Sequence, residues 1–241
     1  MLHKTRGIVL HILPYNDKYN IINMFTEDFG RATYLVYNNV GKRCKVPRSV
    51  LSPLAILNIE AEHFNNRDIH RLKEARLDCN LTQLFLHPSK NAIALFLSEI
   101  LYRILQEKEA NHKLFNYLYN CIHRLDIIED GIGNFHLTFL FKLSNYLGIN
   151  PNKEDYRSGC FFDLQNGVFT DVAPYHNNYL SREDSIVFAR LLKMNFENMS
   201  IFIFSRQEKA NILRHIILYY RLHLSDFPEI KSLDVMQSLF D

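Results

Sequence analysis

GRATYLVYNNVGKRCKVPR, residues Gly30 to Arg48, decides how the first third of this 241-residue chain reads. Its first half, Ala32 to Tyr37, is β-branched and aromatic, the composition of a strand. Its second half opens at Asn38-Asn39 and Gly41, which favour turns, and carries Lys42, Arg43, Lys45 and Arg48. With Arg31 the stretch holds five cations and no acidic residue. A basic loop hanging from an aromatic strand is what a small β-barrel offers to a polyanion. Phosphates take the cations, and bases stack on exposed rings. Tyr34 and Tyr37 are the candidate stacking rings, and each serves equally well as a core residue of the strand. A solvated loop would carry the same charge run without any ligand.

Working outward, short strands flank this stretch on both sides. Gly7 to Leu13 (GIVLHIL) is the first, turned by Pro14-Tyr15-Asn16-Asp17. Tyr19 to Thr26 (YNIINMFT) is the second, and Glu27-Asp28-Phe29-Gly30 turns it into the third, Arg31 to Tyr37. Beyond the basic loop, Pro53-Leu54 opens a fourth strand that runs through Glu62. Asn65-Asn66-Arg67-Asp68 turns it, and Ile69 to Ala75 is the fifth. Five short strands in so few residues predict a small closed barrel, because closure removes exposed edges. The five-stranded oligonucleotide-binding barrel, or OB-fold, is the natural candidate; an SH3-like barrel fits the same pattern.

Past Asp78 the hydrophobic period changes from 2 to 3.6. Ile93, Phe96, Leu97, Ile100, Leu101, Ile104 and Leu105 mark one face of a helix started after Pro88-Ser89. Leu114, Leu118, Cys121, Ile122 and Leu125 mark a second. Phe135, Phe139, Leu140, Leu143 and Leu147 mark a third, stopped at Gly148 and Pro151. Asn150 to Tyr179 breaks the pattern, with the hairpin signal Asn166-Gly167 between Phe161-Phe162 and Val168-Phe169. Helices resume at Ser181, a good N-cap, and at Ser205-Arg206-Gln207-Glu208, a capping box ahead of Ile212, Leu213, Ile216, Ile217, Tyr220 and Leu224. A last short helix covers about 232–240. The expected class is α+β: a barrel domain over 1–80 and a helical domain over 81–241, interrupted by a small β-insertion at about 150–180.

Hydrophobic residues at 47% and charged residues at 22% exclude wholesale disorder. No apolar run reaches the ~18 residues of a membrane span. The start, MLHKTRGIVLHILPYND, is broken by His11 and Pro14 and lacks a small-residue cleavage site, so a cytoplasmic location is expected. The net charge of +2 hides an asymmetry: residues 1–80 hold 12 Lys/Arg and 8 Asp/Glu, whereas residues 81–241 hold 16 and 18. A basic first third and a slightly acidic remainder suggest two modules with different partners. Cys44, Cys79, Cys121 and Cys160 form no C-x-x-C pair and read as reduced thiols. Phosphate-cradling, nucleophile-elbow, zincin and dinucleotide motifs are all absent. The eleven histidines are scattered, with no pair at i, i+4. Asp126, Glu129 and Asp130 read as a solvated helix terminus, because nothing nearby completes a ligand set. No catalytic residue is expected.

The order of motifs carries a resemblance. Thr5-Arg6-Gly7-Ile8-Val9-Leu10, a tyrosine turn, then Met24-Phe25-Thr26-Glu27-Asp28-Phe29-Gly30 and a basic loop resemble the RecO family of bacterial recombination mediators. The likeness continues through Leu97-Ser98-Glu99-Ile100-Leu101 to Tyr219-Tyr220-Arg221-Leu222-His223-Leu224 and Lys231-Ser232-Leu233-Asp234-Val235, which look like the Bacteroidetes branch. The resemblance implies an N-terminal OB-fold and a C-terminal helical domain. It implies binding of single- and double-stranded DNA, annealing of complementary strands in the RecF pathway, and, with RecR, loading of RecA onto DNA coated by single-strand-binding protein (SSB). It also implies capture of the acidic, apolar SSB tail, without covalent chemistry. On this reading Arg31, Lys42, Arg43, Lys45, Arg48, Tyr34 and Tyr37 contact DNA. Lys209, Arg214 and Arg221 are the cations offered to the tail, or ordinary surface charge. Many members carry four cysteines in a zinc-ribbon-like insertion. Here the insertion keeps only Cys160, with His176 a conceivable second ligand, and a structural zinc site needs four. The expected ribbon holds no metal and is packed instead by Phe161, Phe162, Val168, Phe169 and Tyr175.

The alternative class is a protein-interaction adaptor whose barrel does not touch DNA. The five uncompensated cations between Gly30 and Arg48 separate the two readings, since an adaptor does not need them.

Overall fold

Two kinds of environment shape the first element in a computed structural model that describes residues 2–37, 45–64 and 67–238: Gly7 to Leu10 are buried and Leu13 to Asn16 are exposed. Strand β1 (Leu2–Asn16) is longer than the sequence suggests and has two partners. Leu2 to Ile8 pair antiparallel with β4 (Ile56–Glu62), and Gly7 to Asn16 pair with β2 (Tyr19–Thr26). Register breaks at Val9/His11 and Pro14/Asn16 bend the strand so that both pairings hold. β2 pairs with β3 (Gly30–Tyr37), and the sheet closes through β5 (Ile69–Leu77), parallel to β3 and antiparallel to β4. The order β1-β2-β3-β5-β4 in a closed barrel is that of the OB-fold. The SH3-like alternative is set aside on this connectivity.

Ile22 and Met24 of β2 and Ala32, Tyr34 and Val36 of β3 point into the barrel. They meet Val9, Leu57, Ile59, Ala61, Leu72 and Ala75 from the other strands. Val46 and Leu51, around the 3-10 turn Arg48–Val50, join the same core. Three helices complete this unit: α1 (Thr82–Leu86), α2 (Pro88–Ile104) and α3 (His112–Ile127). α2 lies on β1, where the Ser98 hydroxyl donates to the Leu10 carbonyl. α3 presents Phe115 to Phe25, ring centroids 6.4 Å apart. Each buried ring of this kind contributes roughly 1.5–3 kcal/mol. Asp126 is not a solvated terminus: its carboxylate accepts from the Leu84 amide at 2.6 Å and holds the start of α1.

Compact units divide the chain as Met1–Ile127 and Ile128–Asp241, so α1, α2 and α3 belong with the barrel rather than with the later helices. In the second unit α4 (Ile132–Tyr146) is buried nearly all round, including Phe135, Leu137, Phe139, Leu140 and Leu143. α5 (Arg182–Lys193) starts at Ser181, whose hydroxyl accepts from the Asp184 amide. α6 (Arg206–His223) starts with the predicted capping box of Ser205 and Glu208. A short α7 (Leu233–Ser238) follows. Tyr219 and Tyr220 are both buried, and the Tyr220 hydroxyl donates to Leu140 at 2.6 Å. The insertion forms a three-stranded sheet from β6 (Phe161–Asp163), β7 (Val168–Thr170) and β8 (Tyr179–Leu180), in the order β7-β6-β8. Phe162 and Phe169 pack it against Phe188 of α5, but Tyr175 is fully exposed and holds nothing. Among the described residues no helix is long and apolar enough to cross a membrane.

Candidate nucleic-acid interface

Of the seven barrel residues picked from sequence, the structure describes five: Arg31, Tyr34, Tyr37, Lys45 and Arg48. Lys42 and Arg43 lie outside the described residues, as does Cys44. Lys45 is exposed, and its carbonyl accepts from the Ala75 amide of β5 at 2.9 Å, which fixes the end of the basic loop against the barrel. Arg48 is exposed on the 3-10 turn. Tyr37 is 52% exposed at the end of β3, while Tyr34 has no exposed surface. The Tyr34 ring fills the barrel and its hydroxyl lies 3.0 Å from His63 Nε2, so it offers no face to a base. Burial accordingly raises its phenol above the usual range.

Arg31 is half-buried, and its guanidinium is committed to contacts within the protein. Its Nη1 donates to the carbonyls of Tyr102 and Leu105, at 2.9 and 3.0 Å, and its guanidinium sits 4.4 Å from the Tyr102 ring centroid. The last carbonyls of a helix lack intrahelical donors and carry partial negative charge, so a cation there is a clamp on the end of α2. Desolvation lowers the Arg31 pKa, the sign expected of a buried cation. Neighbouring contacts tighten the same joint. The Arg31 amide donates to Glu107 at 2.8 Å, and Gly30, at φ +58°, leaves no room for a Cβ, which would lie 2.3 Å from the Glu109 carbonyl oxygen. Among these predicted contacts, Tyr34 and Arg31 are therefore corrected to structural roles.

What the register assembles instead is an open half-face. Residues opposite in parity to the core positions point outward along β2 and β3, in the pairs Phe25 with Arg31, Asn23 with Thr33, Ile21 with Leu35, and Tyr19 with Tyr37. The first two pairs are covered or satisfied: Phe25 by Phe115, Asn23 and Thr33 by their mutual hydrogen bond at 2.9 Å. The last two pairs are not covered in this way. Tyr19 and Tyr37 meet edge to face at 5.4 Å, and Tyr15, in the second bulge of β1, is 63% exposed. Leu35 is in parallel register with Arg71, which is exposed and has no carboxylate partner among the described residues. Lys18 closes the β1–β2 turn, where Asn16 Oδ1 accepts from the amides of Lys18 and Tyr19 at 2.9 Å. Three tyrosines and two cations thus sit at the end of the barrel from which the basic loop departs. OB-folds use the strand 2–3 face and its flanking loops for oligonucleotides. Tyr15, Tyr19, Lys18 and Arg71 escape a linear reading. Tyr15 sits in a turn motif, and Arg71 is brought to Leu35 only by closure of the barrel.

In the second unit, Arg214 and Arg221 are seven residues apart and share an exposed face of α6. Lys209 lies about 140° round the helix from Arg214 and is half-buried, which lowers its pKa by desolvation. A different apolar feature stands out. Ile201 and Ile203 are 77% and 83% exposed in the segment before α6. Arg190 flanks them, donating to the Ile203 carbonyl at 2.8 Å and lying over the Phe204 ring at 4.7 Å.

The insertion does not fit zinc. Cys160 is buried, and its neighbour Asp163 is occupied in building the turn. Asp163 accepts from the Gln165 and Asn166 amides at 2.8 and 3.0 Å and from Asn166 Nδ2 at 2.7 Å, with His176 Nε2 at 3.3 Å. Burial would push the Asp163 carboxyl up, but these hydrogen bonds and His176 outweigh it and hold the group below the usual range. Among the described residues no group of three or more His, Cys, Asp or Glu is placed to hold a metal ion.

A five-stranded OB-fold barrel, followed by helices interrupted by a small three-stranded sheet, defines a two-part architecture. Comparison with known proteins gives the family. The models described as Recombination protein O N terminal and Recombination protein O C terminal match residues 1–78 and 87–234. The chain is 45% identical to the DNA repair protein RecO of Bacteroides fragilis and 41% identical to that of Azobacteroides pseudotrichonymphae, over the full length of each protein. It is 38% identical, again over full length, to the protein of that name from Porphyromonas gingivalis. The chain belongs to the RecO family of DNA repair proteins.

Proposed function

We propose that this protein is a DNA-binding recombination mediator. It binds single- and double-stranded DNA, anneals complementary strands, and with RecR helps load RecA onto single strands coated by SSB, without covalent chemistry of its own. The observation that carries the reading is the open half-face of the barrel: exposed Tyr15 and Tyr37 and half-buried Tyr19, bounded by Lys18 and Arg71. Bases stack on such rings whatever their sequence, and phosphates release counterions to such cations. Lys45 and Arg48, with Lys42 and Arg43 of the same basic loop, extend the charge. Ile201 and Ile203 beside Arg190 fit an acidic, apolar peptide of the SSB-tail kind better than the Lys209, Arg214 and Arg221 set, which α6 spreads round its surface. The protein carries no zinc, because the ribbon lacks a ligand set; elemental analysis returning one equivalent per chain would overturn that. Labelled single- and double-stranded oligonucleotides titrated across a salt series test the central reading. Affinity that falls linearly with salt on logarithmic axes, with little sequence preference, is expected. Absence of binding at low salt would leave the adaptor reading in its place.

A further inference from the structure

The other end of β3 holds a cavity of about 350 Å3 that the half-face does not use. One wall is a continuous stack of three rings. Phe29 lies on His63 at 4.0 Å and 28°, and His63 lies on His70 at 4.3 Å and 27°. The Phe64 amide donates to His70 Nδ1 at 3.2 Å, which fixes that ring and leaves its proton on Nε2. Burial lowers both imidazoles, His63 to about 4, with each other's charge a smaller cause for His63, so both are neutral near pH 7. The rim is cationic. Arg67 sits over the Phe64 ring at 5.0 Å, and Lys108 pairs with Asp68 at 2.6 Å on exposed surface. With Arg31 behind, three cations face one carboxylate.

A neutral aromatic wall, made of the edges of three rings stacked on one another, and a net positive rim are complementary to different parts of one ligand. An inorganic anion has no use for the rings, and an apolar ligand has no use for the cations. A planar base joined to a phosphate uses both, and a volume of about 350 Å3 admits one such unit but no paired stretch. The Lys108–Asp68 pair is exposed and therefore weak, so a phosphate can recruit Lys108 at little cost. We propose that this cavity takes one unstacked nucleotide of a single strand, its base against the Phe29–His63–His70 stack and its phosphate toward Arg67 and Lys108. The proposal rests on the barrel being a nucleic-acid binder and adds a second, single-nucleotide contact roughly 20 Å along β3 from Tyr37.

The test follows the histidine ring resonances of the full chain by NMR, assigned with His63→Gln and His70→Gln. The probes are decathymidylate, thymidine 5′-monophosphate and inorganic phosphate. Saturable shifts of His63 and His70 with decathymidylate are expected. They should need roughly tenfold more ligand in Arg67→Ala and in Phe64→Ala, whose circular dichroism should match the parent. Decathymidylate that binds without moving either resonance would overturn the cavity assignment and leave the half-face reading intact. Equal shifts with inorganic phosphate would overturn the base contact. Shifts with the mononucleotide alone, in a protein that does not bind decathymidylate, would overturn the strand as source together with the reading on which it rests.

Discussion

Arg31→Ala separates a structural from a DNA-contacting arginine. In the wild type the guanidinium makes two hydrogen bonds to the carbonyls of Tyr102 and Leu105 and lies over the Tyr102 ring. Charged hydrogen bonds contribute about 1.5–3 kcal/mol each, and the cation–π contact about 1 kcal/mol. Fixing the side chain costs about 2 kcal/mol in rotamer freedom. The balance is a destabilisation of about 2–5 kcal/mol. For a chain of this size 1 kcal/mol lowers Tm by roughly 2–4 °C, so 3 kcal/mol corresponds to about 6–12 °C. Urea unfolding followed by circular dichroism measures the loss, and oligonucleotide titrations on the folded fraction measure binding. The expected variant is less stable, with an unchanged salt slope. A variant of unchanged stability whose slope falls by roughly 0.7–0.9, the signature of one lost phosphate contact, would refute the clamp.

The open half-face gives two further expectations. Tyr19→Ala and Tyr37→Ala should each weaken single-strand binding by about 1–3 kcal/mol while leaving the fold intact, measured by fluorescence anisotropy. Arg71→Ala should lower the salt slope by roughly 0.7–0.9 in the same titration; an unchanged slope would remove Arg71 from the interface. A third concerns pH. His136 is buried on α4, and desolvation, with a smaller contribution from Lys209, depresses its pKa to about 3. The unfolded chain then binds more protons between pH 6.5 and 3, so the stability associated with neutral His136 is full above pH 6.5 and is lost as pH falls through that window. His136→Gln should flatten unfolding free energy against pH between 7 and 4; an undiminished slope would assign the dependence elsewhere.

The barrel was legible because strands with one buried face alternate strictly, and Ile22, Met24, Ala32, Tyr34 and Val36 keep that period. Helix starts were legible for an equally local reason: Ser181 and Ser205 cap with their own side chains. The site was legible only in part. Tyr34 and Tyr37 look alike in sequence, but they are three residues apart on a strand, so one must point in and the other out. Which one points in depends on the register with Ile22 and Tyr19. Arg31 and Arg71 look alike too. α2 ends beside the first and not the second, a fact set by the packing of residues 71 and 74 positions away. α1, α2 and α3 read as helices in the sequence, and composition does not say which core a helix serves: their contacts group them with the barrel, whereas the family models divide the chain between residues 78 and 87.

The ribbon follows from the same distinction between local and borrowed stability. A structural zinc ion supplies about 10–16 kcal/mol in small peptides, enough to fold a unit that has no core. The turn network of Asp163 and the burial of Phe162 and Phe169 cannot match that. A net hydrogen bond contributes about 0.5–1.5 kcal/mol, and each ring roughly 1.5–3 kcal/mol. If the ribbon holds no metal, as proposed, its three short strands must draw on their neighbours, and its contacts run to them. Phe162 meets Phe188 of α5 at 4.6 Å, and His223 of α6 lies 2.9 Å from the Leu164 carbonyl. Gly167, at φ +69°, lets the turn approach Tyr219 so closely that a Cβ would lie 2.8 Å from its hydroxyl. Tyr219 and His223 are one turn apart on α6, ring centroids 4.2 Å, and present one aromatic face to the sheet. The tail motif Tyr219 to Leu224, which carried part of the family resemblance, thus includes the surface on which the ribbon is held.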